Sequence, residues 1–142
     1  MALSTDERER FLAEPHIGSL AVDSGEPDRA PLVVPIRYQY VPGGDLWILT
    51  GADSRKARLI TAAGRFSLLA ERVSPTVRYV SAEGPVTERI PGTRDHLVEM
   101  AGRYLPADKV DAYVTMASSG YGEQVVIRMR PQRWLSTDLG GL

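Results

Sequence analysis

Three cations, Arg55, Lys56 and Arg58, crowd into four residues of the segment GADSRKARLI at 51–60. Lys56 is one of only two lysines in the chain; the other is Lys109. An apolar helical pattern follows, and Asp53 or Ser54 is placed to cap it, so Arg55 and Lys56 fall in the first helical turn. The amide dipoles of a helix leave partial positive charge at that end, so each cation there costs about 0.3–1 kcal/mol on a surface. The sign reverses if an anion binds. The free backbone N–H groups, the Ser54 hydroxyl, Arg55 and Lys56 would then converge on one phosphate. The alternative is a solvated face with Asp53 compensating the charge, and the local pattern leaves both open. The segment is not a Walker loop, because the G-x-x-x-x-G-K-[ST] spacing is absent.

Other candidates for chemistry are sparse. In VVPIRYQY, Pro35 interrupts an alternating strand, which implies an edge, a bulge or the wall of a ligand site with a free carbonyl. It lies on the face opposite Val34 and Ile36. Gly84, inside RYVSAEGPV, signals a bulge or a close backbone approach. Arg128 and Arg130 share a face of the last strand, with Trp134 further on; a solvated exterior explains them, and a dimer interface with Arg and Trp anchors is the alternative. His16 and His96 are distant in sequence and lack metal-ligand spacing, so no metal site is expected. There is no cysteine, which excludes disulfides, thiolate nucleophiles and Cys-based zinc sites. No Ser-His-Asp set or carboxylate pair emerges from spacing, and no catalytic residue is assigned. An enzyme built this way would take its chemistry from a bound cofactor.

The elements that must position these residues follow from periodicity. Ser4 and Glu7 form a capping box for a helix over 4–14 that Pro15 ends. Strands are predicted at 16–22, 31–40, 46–50, 65–71, 76–88 and 123–136. The turn signals are 23–30, the Pro-Gly-Gly stretch within 41–45, Ser74-Pro75 and 118–122. Helices are predicted over 54–63, ended by Gly64, and over 93–104 and 107–117. In 31–40, Leu32, Val34, Ile36, Tyr38 and Tyr40 share one face. Val125, Ile127 and Met129 alternate against Val126, Arg128 and Arg130. Strands joined mostly by hairpins, with a late helical run before the last one, predict an α+β protein on a mainly antiparallel six-stranded barrel.

The 142 residues suit one domain over 1–142. The formal net charge of −1 leaves no global field to recruit nucleic acid or anionic membrane, so a positive site must be local. The charged N-terminus has no apolar core for a signal peptide, and no apolar run is long enough to span a bilayer. A cytoplasmic location is the expectation.

Taken in order, these segments resemble the pyridoxamine 5′-phosphate oxidase-like split β-barrel superfamily, and within it the actinobacterial flavin/deazaflavin oxidoreductases of the F420-binding type. HIGSLAV is similar to the family's first strand. PLVVPIRYQY resembles its V-x-P-[IVL]-[WR]-[FY] strand, and LWILTGADSRKARLI its strand–loop–helix with T-x-x-x-S-x-K-x-R-N-[IL]. RFSLLAE, RYVSAEGPVTE and PQRWLSTD complete the set. Leu59 departs from the pattern where Asn is frequent. The resemblance implies an FMN-binding split barrel with short flanking helices. It implies a homodimer with two interfacial sites for F420 or, alternatively, FMN. Thr50, Gly51, Ser54, Arg55 and Lys56 would bind the cofactor phosphate. Val34, Pro35 and Ile36 would line the tricyclic ring, and Arg58 would meet the tail or make a structural ion pair. Residues near Trp134 of a second subunit would close the site. Fifteen of the seventeen Lys and Arg residues are Arg, which fits a high-GC actinobacterial source where F420 is made. The implied activity is hydride transfer from F420H2 to a small electron-poor organic substrate. The alternatives are a non-catalytic F420 or FMN carrier and an FMN-dependent oxidase of the pyridoxamine-phosphate type.

Overall fold

A computed structural model describes residues 1–141 of the chain. The elements run α1 (Thr5–Ala13), β1 (Gly18–Val22), β2 (Leu32–Ile36), β3 (Tyr38–Tyr40), β4 (Leu46–Gly51), α2 (Arg55–Ala63), β5 (Arg65–Arg72) and β6 (Val77–Pro91). They continue through α3 (Arg94–Tyr104), α4 (Ala107–Gly120), β7 (Gln124–Met129) and β8 (Arg133–Gly140). The capping box of α1 is present: Ser4 Oγ accepts from Glu7 N–H at 3.2 Å, and Glu7 Oε1 from Ser4 N–H at 3.1 Å. Gly64 ends α2 at φ 74°, the left-handed conformation that glycine adopts without a Cβ penalty.

Eight strands form one antiparallel sheet where six were expected. The difference comes from two long alternating stretches that each change partner midway. The 31–40 stretch divides at Arg37: β2 pairs with β1, while β3 pairs with β4. The 123–136 stretch divides around Pro131, where β7 gives way to β8. The sheet runs β2-β1-β5-β6-β7-β4-β3, with β8 added along β6. Its end strands β2 and β3 are consecutive in the chain, separated only by Arg37, so the sheet curls until its ends meet. The closure is incomplete. The β3–β4 ladder ends at Tyr38↔Ile48, and two residues further, where Ile36 would face Thr50, β2 has left for β1. That divergence is the split of the barrel. It also makes β2 an edge strand there, which accommodates Pro35 without losing a ladder bond.

β6 spans 15 residues and serves both halves. Its first part pairs with β5 and with β8, and its last part, from Val86 to Pro91 with a register shift between Val86 and Glu88, pairs with β7. Gly84 sits at the corner where the β7–β8 connection crosses. Arg130 N–H donates to Pro85 O at 3.0 Å and Gln132 N–H to Glu83 O at 2.8 Å. A Cβ on Gly84 would lie 1.7 Å from Arg130 O, so the close approach signalled by this glycine is backbone against backbone.

Inward residues fill the barrel: Leu20, Tyr38, Leu46, Ile48, Leu68, Val80, Ile127 and Met129, joined by Phe11 and Leu12 of α1 and by Ala57 and Ile60 of α2. Each large apolar side chain so buried contributes roughly 1.5–3 kcal/mol. Tyr38 reaches out of this core by donating its hydroxyl to Leu12 O at 2.6 Å, and burial raises its pKa. On the outside of β4 and β7, Trp47 and Val126 pack under Met100 of α3. No described helix covers the other outer face. There the register aligns Pro35, Ser19, Leu69, Ser81 and Leu135 in one row across five strands. Val33, Leu135 and Leu139 on this face are each more than 60% exposed.

Candidate functional site

The end of β4 and the start of α2 form the candidate site. Thr50 is buried at the last inward position of β4, where its Oγ1 lies 3.4 Å from Ser54 Oγ. Gly51 O accepts from Ser54 N–H at 3.1 Å, a tight turn that swings the chain into the helix. Ser54 is the N-cap, with its hydroxyl oxygen accepting from Ala57 N–H at 3.2 Å. The main-chain N–H groups of Arg55 and Lys56 have no partner among the described residues, as expected for the first turn of a helix.

The charges at this helix start have few close partners. No acid stands in the first turn of α2. Arg58 bonds Asp53 through the main-chain carbonyl, Nη1 to O at 3.0 Å, and the Asp53 carboxylate forms no ion pair within 4 Å among the described residues. Arg55, Lys56 and Arg58 are likewise without salt bridges among the described residues. The dipole, the free amides and the three cations therefore add instead of cancelling.

Arg89 escapes sequence reasoning. Its guanidinium donates to Ala52 O at 3.1 Å and to Thr61 Oγ1 at 2.6 Å, tying the turn and the far end of α2 to β6. Ala52 N–H is held by Glu123 O at 3.0 Å. The expected strand ended at residue 88, so Arg89 fell outside it; only the length of β6 brings it under α2.

Val34, Pro35 and Ile36 lie on β2, on the other side of the split. They do not present one surface. Val34 and Ile36 pack against the barrel core, while Pro35 stands exposed on the bare outer face. Trp134 also points inward, edge-on to Tyr40 with ring centroids 6.1 Å apart. Its neighbours Arg133 and Leu135 are the ones that face out. Arg128 ion-pairs with Glu88 at 3.1 Å and lies over the Trp47 ring. The histidines are structural: His16 stacks on Phe11 with centroids 4.3 Å apart, and His96 Nδ1 accepts from Thr93 N–H at 3.0 Å to cap α3.

One cavity, of about 270 Å³, adjoins the turn before α2 through Glu123 and Gln124, the β7-side partners of Ala52 and Gly51. A second of about 340 Å³ opens on the bare sheet face among Ala21, Pro31, Arg65, Ser67 and Glu83. Another of about 210 Å³ lies beside Arg8 and Trp134. Among the described residues no group of three or more His, Cys, Asp or Glu could hold a metal ion, and no helix is long and apolar enough to cross a membrane.

No family model and no curated protein matches the chain. Solved structures do. The conserved hypothetical protein Rv2991 from Mycobacterium tuberculosis is 26% identical with a TM-score of 0.75, over 97% of this chain and 86% of that one. An F420 reductase is 25% identical with a TM-score of 0.68, over 89% of this chain and 94% of that one. A FAD-binding protein from Mesorhizobium loti, at 18% identity, shares the fold with a TM-score of 0.68 over 97% of this chain and 95% of that one. These structures share this chain's fold over most of their length, and that fold is the split β-barrel of the pyridoxamine 5′-phosphate oxidase-like type.

Proposed function

We propose that this protein binds the deazaflavin coenzyme F420, with FMN as the alternative, and acts as an F420H2-dependent reductase of a small electron-poor organic molecule. One observation carries the proposal: α2 begins with three cations, no acid in its first turn and two unpartnered main-chain N–H groups beside the Thr50–Ser54 hydroxyl pair. That donor set fits a phosphate, which both cofactors carry. Thr50, Gly51, Ser54, Arg55 and Lys56 would hold it. Arg58, already fixed on the Asp53 carbonyl, is left for the cofactor tail or for structure. Pro35, with the main chain of Val34 and Ile36, offers the ring a flat wall. The similarity to an F420 reductase at 25% identity favours F420 over FMN.

The bound cofactor would supply a hydride to an electron-poor double bond. The chain's own residues would anchor the phosphate, set the ring against β2 and exclude water from the reacting face. In this reading the working unit is a homodimer. The support is the bare sheet face, which carries exposed Val33, Leu135 and Leu139 and includes Pro35 in its middle row. A face of that kind is normally covered. A second copy laid on it would bring its own Arg133 and Leu135 toward the ring wall.

Fluorescence titration of the purified protein with F420 and with FMN, followed by turnover of F420H2 with a panel of enones and quinones, tests the reading. Saturable F420 binding with turnover is expected. Binding of neither cofactor would overturn it, and binding without turnover would reassign the protein as a carrier. Leu135→Arg is expected to yield monomers by light scattering and to lose cofactor affinity with them.

A further inference from the structure

A crevice of about 210 Å³ opens between α1, the turn before β4 and the β7–β8 corner, lined by Arg8, Glu9, Tyr40, Asp45, Arg130 and Trp134 among others. It lies at the beginning of β4, whereas Ser54 follows the end of that strand. The two sites are separate, and the inference drawn here does not rest on the proposed cofactor.

The pairing within the crevice is unusual. Both acids are held by neutral donors. Glu9 Oε1 accepts from Tyr40 Oη–H at 2.7 Å and from Gly43 N–H at 2.8 Å, and Asp45 Oδ2 accepts from the Thr87 hydroxyl at 2.6 Å. The Glu9 carboxylate, which favours the protonated phenol, adds to burial in raising the Tyr40 pKa. The arginines have no such partners. Neither Arg8 nor Arg130 forms a salt bridge or a side-chain hydrogen bond among the described residues, and the Nε of Arg8 is buried without an acceptor. A buried donor without an acceptor is rare in folded proteins and calls for an explanation. The Arg8 guanidinium lies 4.6 Å over the Trp134 ring, which restrains its plane.

A restrained guanidinium whose two terminal nitrogens are neither buried nor bonded among the described residues matches a planar carboxylate, which it can grip end-on with two parallel bonds. Glu9 and Asp45 stand beside the two arginines, so a carboxylate with one negative charge meets less repulsion there than a phosphate dianion. We infer that the crevice is a second ligand site, binding a small monocarboxylate on Arg8 with Arg130 completing the charge.

The full chain labelled with 15N-arginine reports on the Arg8 guanidinium through its Nε–H. Acetate is titrated at constant ionic strength, and the Arg8 Nε–H resonance is followed. A saturable downfield shift with slowed solvent exchange is expected. Arg130→Gln should weaken acetate binding roughly tenfold, the scale of one charge-assisted hydrogen bond. Arg8→Lys should abolish it. A non-saturating drift equal to that with chloride would overturn the inference, as would inorganic phosphate at pH 8 binding more tightly than acetate. Should Arg8→Lys fail to fold, the exposed Arg130 still decides: unchanged affinity in Arg130→Gln refutes the site.

Discussion

Lys56→Gln should change stability and ligand affinity in opposite directions. Glutamine keeps the helix propensity and most of the stem of lysine, so the substitution removes little besides the charge. In the free protein that charge sits at the positive end of α2, with no acid in the first turn and no ion pair. Removing it should stabilise the ligand-free protein by about 0.3–1 kcal/mol, a rise in Tm of roughly 1–4 °C for a domain of this size. With cofactor the balance reverses. Losing one charged hydrogen bond to phosphate, about 1.5–3 kcal/mol, weakens binding on the order of 10–150-fold. At a cofactor concentration about 100 times the wild-type Kd, the wild type gains about 2.7 kcal/mol, while a variant binding tenfold more weakly gains only about 1.4 kcal/mol. The melting curves should therefore cross: variant above wild type without F420, wild type above variant with it. Scanning calorimetry at low salt, where the charge is least screened, reads both arms. A variant less stable than wild type without ligand would refute the electrostatic reasoning, and equal ligand-induced shifts would refute the phosphate assignment.

Gly84→Ala should destabilise by about 3 kcal/mol or more in urea denaturation, the upper end for overpacking, because its Cβ would lie 1.7 Å from Arg130 O and the obstacle is backbone. Arg89→Met should leave the barrel folded but raise amide exchange over 51–63, with a loss of about 1–2 kcal/mol from the bonds to Ala52 O and Thr61 Oγ1. Asp138, held by the Gly140 N–H and by Thr76 and Arg78, has its pKa lowered to about 2 from 3.8. A carboxylate depressed on folding stabilises above its unfolded pKa and loses that contribution as pH falls through the folded value. The Tm deficit of Asp138→Asn should accordingly be full above about pH 4 and should shrink towards pH 2.

The elements were largely legible because each obeys a local rule. The Ser4–Glu7 box, the Gly64 cap and the 31–40 alternation needed nothing from elsewhere in the chain. The partner change at Arg37 was not legible, because the inward face continues unbroken from Leu32 to Tyr40 while only the hydrogen-bond neighbour changes. At the other divided stretch a local sign existed. Inward positions step from Met129 to Trp134, an odd interval that breaks the period of two, and Pro131 marks the slip. That parity change is also why Trp134 faces the core. At the candidate site, the cationic segment could be read locally, whereas the absence of a compensating acid and the role of Arg89 depend on long-range packing. Pro35 was separable from Val34 and Ile36 by alternation alone, but the bare face it stands on required the whole sheet.

The long strand β6 bears on how the molecule comes apart. Because its first residues carry the β5 and β8 ladders and its last residues carry β7, neither half of the barrel can melt and leave the other a complete sheet. Unfolding should be a single cooperative event, with the amides of β6 the last to exchange and those of α4 and the 23–30 loop the first. A barrel that looks divisible at its split would then behave, thermodynamically, as one indivisible unit.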